Sequence, residues 1–196
     1  MEEKKIIIDG HEAVDLGLSV KWATCNIGAI KPEEYGDYFA WGEIEPKEEY
    51  ITRNYPHIYY DEKNYINFKD IGKDISNSQY DTAHVKWGEK WRMPTCDELY
   101  DLIDECKWEW IRNNDCVGYK VIGSNGNSIF LPAAGCYENS SKNYRFDIGG
   151  YYWSSSELFW HELTGTFLLE FNEEYVDGDN TYRRHCGYSI RPVTDK

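Results

Sequence analysis

The residues best suited to chemistry are five histidines, and they lie far apart along the chain: His11, His57, His84, His161 and His185. The sequence contains no His-Glu-x-x-His metal motif, no Gly-x-Ser-x-Gly nucleophile turn and no glycine-rich phosphate loop. His84 falls in a predicted short helix, where a packed structural histidine is a simpler interpretation than a catalyst. We therefore predict that the protein is not an enzyme.

Six cysteines form the second reactive set: Cys25, Cys96, Cys106, Cys116, Cys136 and Cys186. An even number invites disulfides. However, Cys96 and Cys106 lie near the two ends of one predicted helix, about 15 Å apart along its axis and beyond disulfide reach. There is no Cys-x-x-Cys motif and no paired-histidine spacing. We predict buried thiols in preference to disulfides, and both in preference to a zinc site.

The chain is strongly acidic, with a formal net charge of -14 over 196 residues. This charge argues against nucleic acid and anionic membranes as primary partners, because both require a basic surface. Calcium is the one cofactor that the acidic residues permit, and its best candidate ligands form a turn near the C-terminus: Glu173, Glu174, Asp177, Asp179 and Asn180. Their spacing is not that of an EF-hand, and residues 74–81 are a weaker candidate. A plain acidic turn is the simpler interpretation, so we predict no cofactor.

A polar and aromatic run just before the C-terminal strand is the candidate binding surface: Asp177, Asp179, Asn180, Thr181, Tyr182, Arg183, His185, Cys186 and Tyr188. Exposed tyrosine and arginine side chains supply much of the energy in binding surfaces. Two interpretations are open. The run is either a ligand-reading surface, with neighbours from residues 156–165, or an ordinary polar hairpin beside the terminal strand.

Local patterns predict the elements that position this run. Thr95 and Glu98 form a capping box before a helix predicted at about residues 96–107. Asp81 is a plausible N-cap for a shorter helix. Apolar residues alternate over residues 14–20 as in a strand, and Asn125-Gly126 is a hairpin turn. Many short strands with two helices indicate an α+β fold.

Aromatic residues make up 16% of the chain, and many stand beside turns. Residues 87–95 hold two tryptophans around a glycine, and we interpret them as a core anchor. Residues 43–80 have no clear period, yet their aromatic residues indicate packing rather than disorder. We predict a lead with a short strand over residues 1–13 and a single domain over residues 14–196. No apolar run has the length of a membrane span, and the N-terminus lacks the pattern of a signal peptide.

Six blocks, in order along the chain, resemble the Fibrobacter succinogenes major paralogous domain group of gut Bacteroidetes. They are residues 14–29 (VDLGLSVKWATCNIGA), 35–43 (YGDYFAWGE), 87–95 (WGEKWRMPT), 126–135 (GNSIFLPAAG), 150–155 (GYYWSS) and 187–193 (GYSIRPV). That group is similar to C-type-lectin-like domains and to the formylglycine-generating-enzyme superfamily. The resemblance implies N- and C-terminal strands that pair, two helices and long irregular loops.

The resemblance also implies a function. Some superfamily members bind ligands with the C-terminal strand and the loops. In a subset diversified by retroelements, variable positions precede a Gly-x-Ser-[Val/Ile]-Arg-Pro-Val ending, which residues 187–193 match. The nine residues of the candidate surface are all types that adenine changes in an Asn codon can produce. The resemblance thus predicts a non-catalytic ligand-binding or display domain for a protein or glycan, at the cell surface or secreted.

Two alternatives to this function remain. A formylglycine-generating-type oxidase would need a cysteine pair near the C-terminus, where only Cys186 lies, with Cys136 its nearest neighbour in sequence. A purely structural module of a surface assembly would have no ligand. The Glu-Pro-Asn and Trp-Asn-Asp motifs of calcium-dependent lectins are absent. Arg92 and Arg191 lie inside the resembling blocks, and we predict that they clamp the structure by pairing with buried carboxylates.

Overall fold

The computed structural model describes residues 5–138, 145–160, 163–178 and 181–196. These residues form mostly strands with two α-helices, which confirms the α+β class. The strands are β1 (Ile6–Ile8), β2 (His11–Asp15), β3 (Lys21–Ala23), β4 (Ile58–Tyr60), β5 (Ile66–Phe68), β6 (Lys107–Arg112), β7 (Val117–Ile122), β8 (Ser128–Pro132), β9 (Gly149–Trp160), β10 (Leu163–Asn172), β11 (Val176–Asp177), β12 (Thr181–Tyr182) and β13 (Val193–Thr194). The helices are α1 (Thr82–Trp87), α2 (Cys96–Glu105) and a 3-10 turn (Thr52–Asn54). No helix in these ranges has the length and apolar character needed to cross a membrane.

The two ends of the chain meet in one antiparallel sheet, in the order β1-β2-β3-β13. Val193 of β13 lies opposite Trp22 of β3. This confirms the predicted pairing of the N- and C-terminal strands. β1 and β2 form the outer half of the same sheet, so the predicted N-terminal lead is built into it, and the expected boundary after residue 13 falls inside β2.

The alternating apolar pattern over residues 14–20 predicts burial correctly but predicts a strand wrongly. β2 ends at Asp15, whose carboxylate accepts a hydrogen bond from the backbone N–H of Gly17 at 2.8 Å. Gly17 has φ +86°, a left-handed conformation that breaks the extended backbone. Leu16 and Val20 are nevertheless buried in the main core. A turn can therefore bury alternate residues as a strand does.

Both predicted helices form, and local capping explains where each begins. The Asp81 carboxylate accepts hydrogen bonds from the N–H groups of Ala83 and His84, at 2.9 and 3.2 Å, at the start of α1. It also accepts one from the N–H of Met93 at 3.1 Å, which fixes the segment between the helices. At α2, Thr95 and Glu98 complete the capping box in both directions. The helix ends two residues earlier than predicted because β6 begins at Lys107.

The core lies between α2, the three-stranded sheet β6-β7-β8 and the long hairpin β9–β10. Leu102 of α2 packs in the same cluster as Val121, Leu131 and Phe171. The Asn125-Gly126 turn joins β7 to β8, as the sequence predicts. A second cluster is aromatic and contains the tryptophans of two of the resembling blocks, Trp41 and Trp153.

The two arginines expected to act as clamps do so with different partners. Arg92 forms a two-pronged ion pair with Glu98, at 2.8 and 2.5 Å, so it has the predicted carboxylate partner, although Glu98 is half-buried rather than buried. Arg191 is fully buried and instead donates to the side-chain oxygen of Asn26 at 2.9 Å and to three backbone carbonyls. The prediction of a carboxylate partner for Arg191 is therefore wrong. Its acceptors are neutral groups of residues 23–26 and of Phe130 in β8, which meet the C-terminal segment at this point.

Candidate recognition surface

The residues of the candidate binding surface do not share one environment. Arg183 is exposed, and Asp177 is half-buried in β11. Thr181 and Tyr182 form β12, which pairs with β10. Asp179 and Asn180 lie outside the described residues, as do residues 161 and 162 of the expected neighbouring segment.

Three of the nine predicted surface residues are part of the core. His185, Cys186 and Tyr188 are 2%, 3% and 0% exposed. The Tyr188 ring packs 4.5 Å from that of Trp153, and its backbone exchanges hydrogen bonds with Phe39 at 3.0 and 3.1 Å. Their placement on an exposed surface is therefore corrected, because long-range pairing buries the chain immediately after Arg183.

Burial also sets the chemistry of His185 and the thiols. It lowers the pKa of His185 to about 4, with smaller effects from the positive charges of Arg183 and Lys47. His185 is thus neutral at neutral pH and lies within hydrogen-bonding range of the Thr52 hydroxyl. All six cysteines are free thiols, but only Cys136 and Cys186 are buried as predicted, and the other four are half-buried. Cys136 and Cys186 share the aromatic core cluster, and burial raises the pKa of Cys136, which keeps its thiol protonated.

The described ranges contain no group of three or more histidine, cysteine, aspartate or glutamate side chains arranged to hold a metal ion. The C-terminal calcium candidate includes Asp179 and Asn180, which lie outside those ranges. In the other calcium candidate, residues 74–81, the Asp74 carboxylate accepts hydrogen bonds from the backbone N–H and the hydroxyl of Ser76. The Asp81 carboxylate caps α1. Both acids thus have structural roles.

Arg184 lies within the run that the sequence predicts to be a ligand-reading surface, but it is buried and ties the C-terminal segment to the irregular middle of the chain. Its side chain is 1% exposed and forms an ion pair with Glu157 of β9. The guanidinium lies 4.6 Å from the ring centroid of Trp41 and 5.2 Å from that of Phe68. A planar guanidinium is suited to contact two aromatic rings and a carboxylate together. Arg184 therefore fixes β5 against the C-terminal segment.

Residues 58–68 form a feature that we call the tyrosine hairpin, made of β4, β5 and the turn between them. Ile58 and Phe68 are paired and pack against the buried side chains of Tyr50 and Tyr55. The next pair on the same face projects past the body of the protein, because side chains repeat every second residue along a strand. Its members, Tyr60 and Ile66, together with Tyr59 and Tyr65, are 53%, 45%, 50% and 67% exposed.

The tip of the tyrosine hairpin is well organised. The Asp61 carboxylate accepts hydrogen bonds from the N–H groups of Lys63 and Tyr65, at 2.9 and 2.8 Å. Asn64 takes the left-handed conformation that asparagine tolerates in turns, with φ +65°. These bonds order the backbone of the turn before any partner arrives, which lowers the entropic cost of binding.

Of the surface clefts, one lies beside the hairpin and another lies elsewhere. A cleft of about 370 Å³ at the foot of β4 is lined by Glu43, Glu45, His57, Gln79 and Tyr80, among others. Lysines already pair with both carboxylates, at 2.7 and 3.0 Å, so its charges are largely balanced. A second cleft, of about 340 Å³, is acidic and lies beside Tyr35. Neither cleft is lined by residues 58–68.

The sequence contains a signal for the tyrosine hairpin, but this signal is a turn between short apolar segments and not a helical or strand period. Two short apolar segments, Ile58-Tyr59-Tyr60 and Tyr65-Ile66, flank the polar turn Asp61-Glu62-Lys63-Asn64. Such a pattern is typical of a short hairpin. The Arg184 ion pair had no comparable signal, because its partners lie far away in sequence.

Comparison with known proteins gave no match to a family model, to a curated protein or to a solved structure.

Proposed function

We propose that the protein is a non-catalytic, C-type-lectin-like ligand-binding or display domain that recognises a protein or a glycan. The paired terminal strands, the two helices and the long irregular segment support the C-type-lectin-like interpretation. The resemblance to the Fibrobacter succinogenes major paralogous domain group supports a cell-surface or secreted setting. The proposed recognition surface combines the tyrosine hairpin with Arg183 and strand β12.

One observation carries this proposal. Tyr59, Tyr60 and Tyr65 are exposed on a hairpin that Phe68 and Arg184 fix to the body of the protein. Burying a tyrosine ring at an interface contributes more binding energy per side chain than most residues can, at a low entropic cost. A protein that exposes three such rings at one rigid hairpin has a surface suited to recognition.

Diversification by a retroelement is part of the proposal. Its support is the ending at residues 187–193 and the residue types before it. Because His185, Cys186 and Tyr188 are buried, variation there would disturb packing, and tolerated variation should concentrate on residues 177–183. The test is the gene neighbourhood, where we expect a reverse transcriptase and a near-copy of the 3′ end of the gene. A neighbourhood with neither would contradict diversification without affecting ligand binding.

Binding itself is tested with protein and glycan arrays probed with the intact chain. We expect at least one ligand, and we expect the triple substitution Tyr59→Ser, Tyr60→Ser, Tyr65→Ser or the substitution Arg183→Ala to weaken it about tenfold or more. The matched control is Ile30→Ser, which removes an even more exposed apolar side chain, 85% exposed, from another loop. Circular dichroism verifies that each variant is folded. A chain without hits on either array would favour the structural-module alternative.

The oxidase alternative depends on Cys136 and Cys186, which share one core cluster. Their burial and the raised pKa of Cys136 disfavour a reactive thiolate. Oxygen uptake measured with and without added copper tests this alternative directly. Copper-dependent uptake that Cys186→Ser abolishes would replace the binding proposal with catalysis.

A further inference from the structure

The tyrosine hairpin has open backbone edges, which the hydrogen-bond pattern identifies. Asp61 donates its N–H to Tyr65 at 3.0 Å, and Lys69 donates its N–H to His57 at 2.9 Å. Hydrogen-bonded pairs alternate in an antiparallel ladder, so the pair between these two, Tyr59 with Asn67, also faces inward. The backbone groups of the remaining pairs therefore point outward.

These outward groups belong to Ile58 and Tyr60 on β4 and to Ile66 and Phe68 on β5. Within the described part of the chain, the sheet contains these two strands alone. Unpaired N–H and C=O groups on an edge strand are a template for another extended segment. The side chains that flank the edge, Tyr60 and Ile66, are exposed and could hold alternate side chains of such a segment.

Charge indicates the chemistry of the segment. The turn of the hairpin carries Asp61 and Glu62 against one basic residue, Lys63. The whole chain has a net charge of -14, and its long-range field attracts cationic partners and speeds their approach. A basic segment is therefore favoured over an acidic one. Hairpin residues line neither of the two clefts described above, which also favours a peptide over a glycan, because small ligands are usually held in concave sites.

We propose that the tyrosine hairpin binds an extended, basic peptide segment of a partner protein, which adds as a third strand to one of its open edges. This inference rests on the proposed binding function and names the partner class. Backbone hydrogen bonds would supply affinity, and the exposed tyrosine rings would select the side chains. The matching partner is rich in lysine or arginine and contains apolar residues at alternate positions.

The experiment probes the intact chain with a phage-displayed library of random peptides and, in parallel, with a glycan array. We expect enriched peptides with lysine or arginine between aliphatic residues, and affinity that falls at high salt. The decisive variants are prolines at positions whose N–H points outward, Ile66→Pro on β5 and Tyr60→Pro on β4. Proline removes an edge donor without breaking the internal ladder. One of the two should weaken binding about tenfold more than the matched serine variant, Ile66→Ser or Tyr60→Ser, which keeps its N–H.

The outcomes separate this inference from the proposed function. If the chain binds glycans alone, or if neither proline variant differs from its serine control, the peptide inference is overturned while ligand binding stands. Enriched acidic peptides would overturn the charge argument and the inference with it. If neither library gives a ligand, the proposed function itself fails. Circular dichroism and the thermal midpoint of each variant show whether a loss of binding reflects a loss of folding.

Discussion

Replacing Arg191 with methionine tests how much a buried cation contributes to this fold when the described residues give it no carboxylate partner. The guanidinium donates to Asn26 Oδ1 at 2.9 Å and to the carbonyls of Ala23, Thr24 and Phe130 at 3.1, 2.7 and 2.9 Å. It thereby joins the β3 region, β8 and the C-terminal segment. Methionine keeps much of the length and apolar volume of the side chain but provides no donor.

The magnitude follows from the acceptors that lose their partner. Each buried acceptor left without a hydrogen bond costs about 1–3 kcal/mol, and Arg191 serves four. The sum is reduced because methionine does not pay the desolvation cost of a buried charge. We therefore expect Arg191→Met to lower the free energy of unfolding by about 3–5 kcal/mol. The free energy of unfolding of Arg191→Lys should lie between those of the wild type and Arg191→Met, because an ammonium group cannot span the acceptors that the planar guanidinium reaches.

Urea unfolding followed by tryptophan fluorescence measures these differences. The matched control is Arg183→Met, which makes the same change at an exposed position and should alter stability by no more than about 0.5 kcal/mol. If Arg191→Met stayed within about 1 kcal/mol of the wild type, the hydrogen bonds would contribute no more than one ordinary bond. The description of Arg191 as a clamp would then be refuted.

Three further predictions concern other parts of the molecule. Burial lowers the pKa of His185 from 6.5 to about 4, so the unfolded chain binds a proton more readily than the folded chain, and stability should fall as the pH drops through that window. In urea titrations between about pH 7 and pH 5, the variant His185→Gln should therefore lose less stability than the wild type. Gly36→Ala should lower the free energy of unfolding by about 2 kcal/mol, because φ is +73° and the added Cβ would meet the carbonyl oxygen of Ile27; an unchanged thermal midpoint would contradict this. Leu102→Ala should cost about 2–5 kcal/mol by calorimetry, against a small change for the exposed control Asp104→Ala on the same helix.

Local interactions explain which parts of the fold could be predicted from sequence. The capping box of Thr95 and Glu98 and the turn at Gly126 depend on contacts within a few residues, and the structure contains both. The prediction of a strand over residues 14–20 is wrong because an alternation of apolar and polar residues indicates burial and not backbone conformation. A turn through Gly17 buries the same apolar residues. A pattern of apolar residues is therefore a safer guide to the core than to backbone conformation.

The candidate site was predicted less well because long-range pairing decides exposure. Tyr188 is buried by its bridge to Phe39, far away in sequence, so a tyrosine typical of binding surfaces became a core residue. Arg184 looked like its exposed neighbour Arg183, yet it is covered by Trp41 and Phe68. No local pattern distinguishes these two arginines.

The carboxylate of Asp81 has a consequence for the cooperativity of unfolding. It accepts hydrogen bonds from Ala83 and His84 in α1 and from Met93, which lies beyond the helix in residues 87–95. The helix cannot open while these three bonds persist, and the segment that carries Trp91 cannot detach while Met93 is held. In native-state hydrogen exchange, the amides of these three residues should therefore exchange with one common opening free energy. Residues 81–93 would then unfold as one cooperative unit rather than as a helix followed by a loop.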